Sequence, residues 1–248
     1  MRSFRQYPPQ SVALAVAIAA MVLASSGHAA SSKDKTKIPA VRWEEGRPGC
    51  TFSRGDDGFY RYGLSYGDVA IILAVDSQEL EKVHRRHERF FAVMLNVRYK
   101  GRGEAELAVE HATLQFMNHF QVIQTSLDPD NFSQKVQNDA DELNRETARA
   151  VEKHPEQKEA KEASMRAFLK DSAELQEFLG KNSLRAINLS PGNPQASGWI
   201  LFSASSKWIG PWKKQEEFTL RVPVGEKTFE FPFKLPPKVG EVLLRRRE

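Results

Sequence analysis

Apolar residues follow two rhythms along this chain, and the switch between them falls at Ser133. Before that point, and again after Leu184, they either alternate with polar residues or run continuously over strand-length stretches. Alternation marks a strand with one buried face, and a short continuous run marks a strand covered on both faces. Tyr60, Tyr62 and Leu64 alternate with Arg61 and Gly63, while residues 68–75 (DVAIILAV) and 90–99 (FFAVMLNVRY) are continuous runs too short for typical helices. Residues 100–103 (KGRG) are a turn signal after the second run. Residues 109–124 read as further strand, with Leu114, Phe116, Phe120 and Val122 in phase. A turn cluster at 190–194 (SPGNP) precedes residues 199–204 (WILFSA). Phe218, Leu220 and Val222 then alternate, as do Phe229, Phe231 and Phe233, and Pro232 among the last set suits an edge strand or the end of one. About seven strands joined mostly by hairpin-length turns predict a mainly β fold, an antiparallel sandwich over residues 58–235. The highly charged stretch 76–89 is expected to be exposed, and residues 30–57, rich in charge, Pro and Gly, to form an extended arm with little regular structure.

The interruption has helical grammar. Residues 133–182 hold nine basic and eleven acidic residues, three β-branched residues and no Gly before Gly180, a composition that favours helix when summed over the window. Val136, Ala140, Leu143, Thr147 and Val151 lie four, three, four and four apart and form one weakly apolar stripe. Proline is accepted in a first helical turn and not in an interior, so His154-Pro155 predicts an elbow between two helices. The second helix is expected to run to about Leu179, with Gly180 as its cap and Ala163, Ala167, Leu175, Phe178 and Leu179 on its apolar side, joined by Phe168 and Leu169. Glu162 with Arg166, Lys170 with Glu174, and Glu177 with Lys181 are opposite charges four apart on that helix. The prediction is a helical hairpin inserted at 130–182 into the β-domain, packing on the sandwich, a second subunit or a partner.

Composition adds a compartment. Arg2 and Arg5, the apolar run 12–24 and Gly27-His28-Ala29 have the form of a signal peptide cleaved after Ala29, with the run too short for a typical membrane-spanning helix. The expected product is exported, periplasmic or extracellular, with no transmembrane segment after cleavage. The whole chain carries 36 basic and 32 acidic residues, and without the two leader arginines the surplus falls to +2. That balance argues against nucleic acid as a partner. The one basic cluster, Arg245-Arg246-Arg247, lies in a C-terminal tail, 236–248, expected to be solvated. Cys50 is the single cysteine, so an internal disulfide is excluded and a thiol or an intermolecular disulfide remains.

Several of these segments together resemble the immunoglobulin-like domains of unknown function in exported bacterial proteins: residues 91–96 (FAVMLN), the turn at 101–103, the strand 113–116, and 189–192 (LSPG) leading into 197–202 (SGWILF). The resemblance covers roughly residues 58–125 and 186–235. It implies an immunoglobulin-like sandwich acting as a binding or envelope-associated module, and it carries no catalytic residues. The helical insertion and the lack of a disulfide pair depart from familiar immunoglobulin domains.

Candidate chemistry is sparse. Residues 63–67 (GLSYG) fit G-x-S-x-G with Ser65 as nucleophile, but that elbow needs a strand before it and a helix after it, and an apolar strand follows instead. His84 and His87 form H-x-x-H with Arg85 and Arg86 between them and no third ligand nearby. His111 and His119 are expected to serve packing or surface roles in strands. Trp199 reads as core, whereas Trp208 and Trp212, beside Lys213, are a candidate glycan- or peptide-binding surface. The expected function is a non-catalytic binding or structural module of the cell envelope, without cofactor or metal. Its hairpin is the interaction or spacing element, toward a protein partner or a second copy. The alternatives are an envelope hydrolase using Ser65 and a glycan- or peptide-binding module using Trp208 and Trp212.

Overall fold

A computed structural model describes residues 39–118, 122–205 and 215–236. In chain order the first elements are β1 (Ala40–Arg42), β2 (Cys50–Arg54), β3 (Phe59–Tyr66), β4 (Val69–Asp76), α1 (Glu79–Arg85) and β5 (Phe90–Tyr99). There follow β6 (Ala105–Leu107), β7 (Thr113–Phe116), β8 (Val122–Thr125), α2 (Pro129–Lys153) and α3 (Lys158–Asn182). The chain then returns to strands: β9 (Ile187–Leu189), β10 (Gln195–Ser203), β11 (Glu216–Val224) and β12 (Lys227–Leu235). The protein is mainly β, with two sheets and a helical hairpin.

One sheet is antiparallel throughout, in the order β10-β5-β4-β3-β2. The other runs β1-β12-β11 and then meets a broken column, in which β6 and β7 lie end to end beside β11. A 3-10 turn, Val109–His111, separates them, and β9 and β8 pair with β6 and β7 respectively. Pro223 sits in β11 between its pairings with β7 and β6, where a residue without an N–H costs no ladder bond. Pro232 lies in β12 beyond Glu230, the last residue paired with β1, so the edge position expected of it is where it stands.

The two sheets share one core. Phe91 of β5 meets Phe116, Phe218 and Phe233 from the other sheet, and Tyr62 of β3 meets Phe233, with ring centroids 5.0–6.5 Å apart. Alternation explains which residues point there: Ile71, Leu73 and Val75 from β4, and Phe91, Val93, Leu95 and Val97 from β5, are all buried. The apolar runs of β4 and β5 differ on their other faces. Phe90 and Ala92 of β5 are covered by the hairpin, whereas Ile72 of β4 is 45% exposed.

Several sequence expectations are corrected. Among the described residues twelve strands stand in place of about seven, because five of them are only three or four residues long, too short for a period to mark each one. The stretch 109–124 is a turn followed by the antiparallel pair β7–β8. The arm of residues 30–57 contributes β1 and β2, held by pairing with β12 and β3. The charged stretch 76–89 contains α1, which buries Glu79, Leu80 and Val83.

The hairpin begins with a side-chain cap. Asp128 accepts from the N–H groups of Asp130 (3.1 Å) and Asn131 (2.7 Å), and Pro129 opens α2. The elbow at Pro155 is a single 3-10 turn. Gly180 is not the cap: α3 continues to Asn182 and ends at Ser183. The inward side of α3 is also corrected. Met165, Ser172 and Leu179 are buried while Ala163 and Ala167 are exposed, because the face of α2 and the sheet surface decide which stripe is covered. All three expected ion pairs form, at 3.9, 3.8 and 2.5 Å.

Candidate functional site

The site is assembled where the hairpin joins the outer face of β5 and β10. Both ends of the insertion are fastened to the free edge of β10: the Leu127 N–H donates to the Leu201 carbonyl (2.7 Å) and the Leu184 N–H to the Trp199 carbonyl (2.8 Å). Gly198 makes the second fastening possible, since a Cβ there would stand 2.8 Å from Leu184 N and 2.9 Å from Asn182 O. Above these bonds, Phe132, Val136 and Leu179 bury themselves against Phe90, Ala92 and Leu201. Trp199 lies half-buried between Phe59 and Phe178, with centroids 6.0 and 5.8 Å away.

A corner built by α1 forms the other side. The β4–β5 ladder ends at the pair Ala74–Met94, leaving the next polar groups of β5 without a strand partner. Side chains replace it. Glu79 Oε1 accepts from the Ala92 N–H (2.7 Å), and Arg86 Nη1 donates to the Phe90 carbonyl (2.7 Å). The two side chains hold each other at 2.5 and 3.1 Å, and the Arg86 guanidinium lies over the Phe90 ring at 4.1 Å. Glu79 is 1% exposed, and burial pushes its carboxyl above the usual carboxylate range against the opposing pull of Arg86 and the Ala92 N–H. Asp76 secures the start of the corner by accepting from Gln78 N and pairing with Lys82.

Between this corner and the hairpin lies a crevice of about 350 Å³. Phe90, Val136 and Leu175 form its apolar lining, and Phe168 of α3 meets the His87 ring edge-on at 4.5 Å. Ser172, 8% exposed, contributes a hydroxyl that has no hydrogen-bond partner among the described residues. The rim carries four carboxylates, Glu88, Asp139, Asp171 and Glu174, and two guanidinium groups, Arg85 and Arg86. Lys135 bridges Glu88 (3.0 Å) and Asp139 (2.6 Å), and these two carboxylates raise its ammonium above the usual lysine range. Glu174 pairs with Lys170, and Asp171 has no ionic partner among the described residues.

The sequence candidates fall elsewhere. Trp208, Trp212 and Lys213 lie outside the described residues, as do His119, Phe120, the leader and the C-terminal tail beyond Pro236. Ser65 is exposed in β3, its N–H donating to the Gly49 carbonyl (2.8 Å), and β3 passes through a turn into β4. The helix that a nucleophile elbow requires after its serine does not follow. His84 lies on α1, while His87 lies beyond its end, against Phe168. Among the described residues no group of three His, Cys, Asp or Glu side chains is placed to hold a metal ion, and no helix is long and apolar enough to cross a membrane. Cys50 is a free thiol in β2 whose sulfur accepts from the Glu44 N–H at 3.5 Å.

Sequence reasoning missed Ser172 and the Glu79–Arg86 pair. The first was hidden among the polar residues of α3, and the second in a run of charges in which nothing marks which one is buried. A signal for the pair exists: Leu80 and Val83 are three apart and give the segment one apolar helical face. No family model matches the chain, and no curated protein matches it.

Proposed function

We propose that this chain is an exported, non-catalytic binding module of the cell envelope, an immunoglobulin-like sandwich that holds a helical hairpin away from its surface as an interaction element. One observation carries the reading: among the described residues, the outer half of the hairpin forms its hydrogen bonds and ion pairs with itself alone. From Asp141 to Ala167 these run within the hairpin, and Met165 is the segment's one buried apolar side chain. The α2–α3 junction therefore stands about 20 Å beyond the last residues seated on the sheet, at 1.5 Å per helical residue. Shallow grooves flank it, one lined by Ala148, Val151, Met165 and Leu169, the other by Leu143, Ala150, Ser164 and Met165. Export rests on the leader-like segment 1–29, and N-terminal sequencing of the secreted chain should begin at Ala30.

The test replaces residues 144–161 with a short turn and compares crosslinked partners in the envelope with those of the intact chain. Loss of partners with an unchanged β-domain is expected. An identical set of partners would overturn the role given to the tip.

A further inference from the structure

We propose that the crevice at the root of the hairpin binds an organic cation with an apolar body, an ammonium or guanidinium group carried on an alkyl or aryl stem. Three independent features of the crevice converge on that chemistry. Its volume, about 350 Å³, lies within the range of small-ligand sites, and its lining is apolar and aromatic where Phe90, Val136 and Phe168 meet. Such a surface takes the body of the ligand.

Ser172 supplies the second feature. The residue is more than nine-tenths buried, and its hydroxyl, which has no partner among the described residues and is not sealed from solvent, lines the crevice. Its oxygen accepts from a ligand N–H, and a cationic donor makes that bond stronger than a neutral one would.

Charge supplies the third. Arg86 and Arg85 also line the crevice, but each is paired, Arg86 with Glu79 and Arg85 with Glu81 at 3.1 Å. Lys135 is shared by two carboxylates, and Asp171 has no cation of its own among the described residues. The rim is thus short of positive charge in a chain whose formal net charge is +4. A carboxylate or phosphate ligand would face repulsion there, and a cation completes the set. The aromatic ring of Phe168 adds a face that attracts cations.

A free amine and the basic side chain of a peptide share this chemistry, and the experiment separates them. The full chain is titrated with benzamidine and with acetyl-Leu-Arg-methylamide, each against its neutral isostere, benzamide and the citrulline dipeptide, while backbone amide shifts are followed. At least one cation is expected to saturate, with shifts centred on Phe168 and Ser172, and its isostere to bind roughly tenfold more weakly. Tighter binding of the dipeptide assigns the natural source to a peptide, and tighter binding of benzamidine to a free amine. Asp171→Asn, at an exposed position of α3, and Ser172→Ala, a smaller side chain at a buried position of the same helix, should each weaken the cation by roughly three- to tenfold. Equal binding of cation and isostere, saturation by neither cation below about 10 mM, or wild-type affinity in both variants would overturn the proposal. The site lies below the segment exchanged in the tip replacement, so cation binding should survive that replacement and the two readings fail separately.

Discussion

The lower and upper halves of the hairpin are written in the same charged, alanine-rich language, yet they are held by different forces. The lower half buries Phe132, Val136 and Leu179 on the sheet and is tied down by two backbone hydrogen bonds. Full burial of such side chains contributes about 1.5–3 kcal/mol each. The upper half has Met165, a partly covered stripe from Leu143 to Val151, and exposed ion pairs worth about 0.2–0.5 kcal/mol apiece. The comparison teaches that helical propensity sets where helices form, while the sheet beneath decides which part of them is rigid. Local opening should therefore start at the elbow and stop near Ala140 and Phe168.

The strongest challenge to that division is Phe91→Ala. It removes the ring that joins both sheets behind the hairpin's seat and should cost about 3–5 kcal/mol in urea unfolding. The lower half of the hairpin should unfold in the same transition. A separate, later loss of helical signal from that half would break the comparison.

Next in size is Glu79→Ala, which leaves Arg86 without its carboxylate and the Ala92 N–H without an acceptor. A loss of about 3 kcal/mol is expected, read as a shift in the urea midpoint. The same pair has a pH signature. With its native-state value raised, folded Glu79 binds its proton more tightly than the unfolded chain does, so its contribution is greatest below the ordinary carboxylate range. That contribution declines as pH rises through the raised value. Stability measured relative to Glu79→Gln should follow this downward trend, and a rising trend would refute the assignment.

Gly198→Ala tests the fastening directly. The added methyl meets backbone atoms at Asn182 and Leu184, so the hairpin root must move, at a cost of about 1–3 kcal/mol. Hydrogen exchange should quicken along the lower half of α2 and α3 while β4 and β5 stay protected. Met165→Ala should have the smallest global effect, about 1 kcal/mol or less, because the tip cannot lose more stability than it has. Faster exchange confined to residues 141–167 would sharpen the contrast, whereas spread of the effect to Phe132 would blur it.

What was legible in the sequence follows the same logic. The runs of β4 and β5, the hairpin, and the elbow at Pro155 were readable because a period or a proline marks each of them. The burial of α1 was not, since Glu79 is distinguished from Glu81 by the unpaired end of a strand thirteen residues further on. The inward face of α3 was misread for a related reason: alanines advertise an apolar stripe, but α2 and the sheet cover Met165 and Ser172 instead. β1 and β2 went unseen because pairing with β12 and β3, more than their own pattern, makes them strands. Of the crevice, Val136, Phe168 and Leu175 were marked in advance as parts of apolar helical sides, and His87 as half of H-x-x-H, but nothing placed them around one cavity.

The two fastenings on β10 also bear on how the chain folds. Leu127 and Leu184 end on carbonyls two residues apart on one strand, so everything between them must be brought back almost to its starting point. Closing that span as a random chain would be slow and entropically costly, and the pairing of β10 with β5 encloses it. Helices form within about a microsecond, and a hairpin with its elbow preset by Pro155 returns its ends side by side. The insertion thus acts as a kinetic clasp, turning the most distant strand pairing of its sheet into a nearly local one.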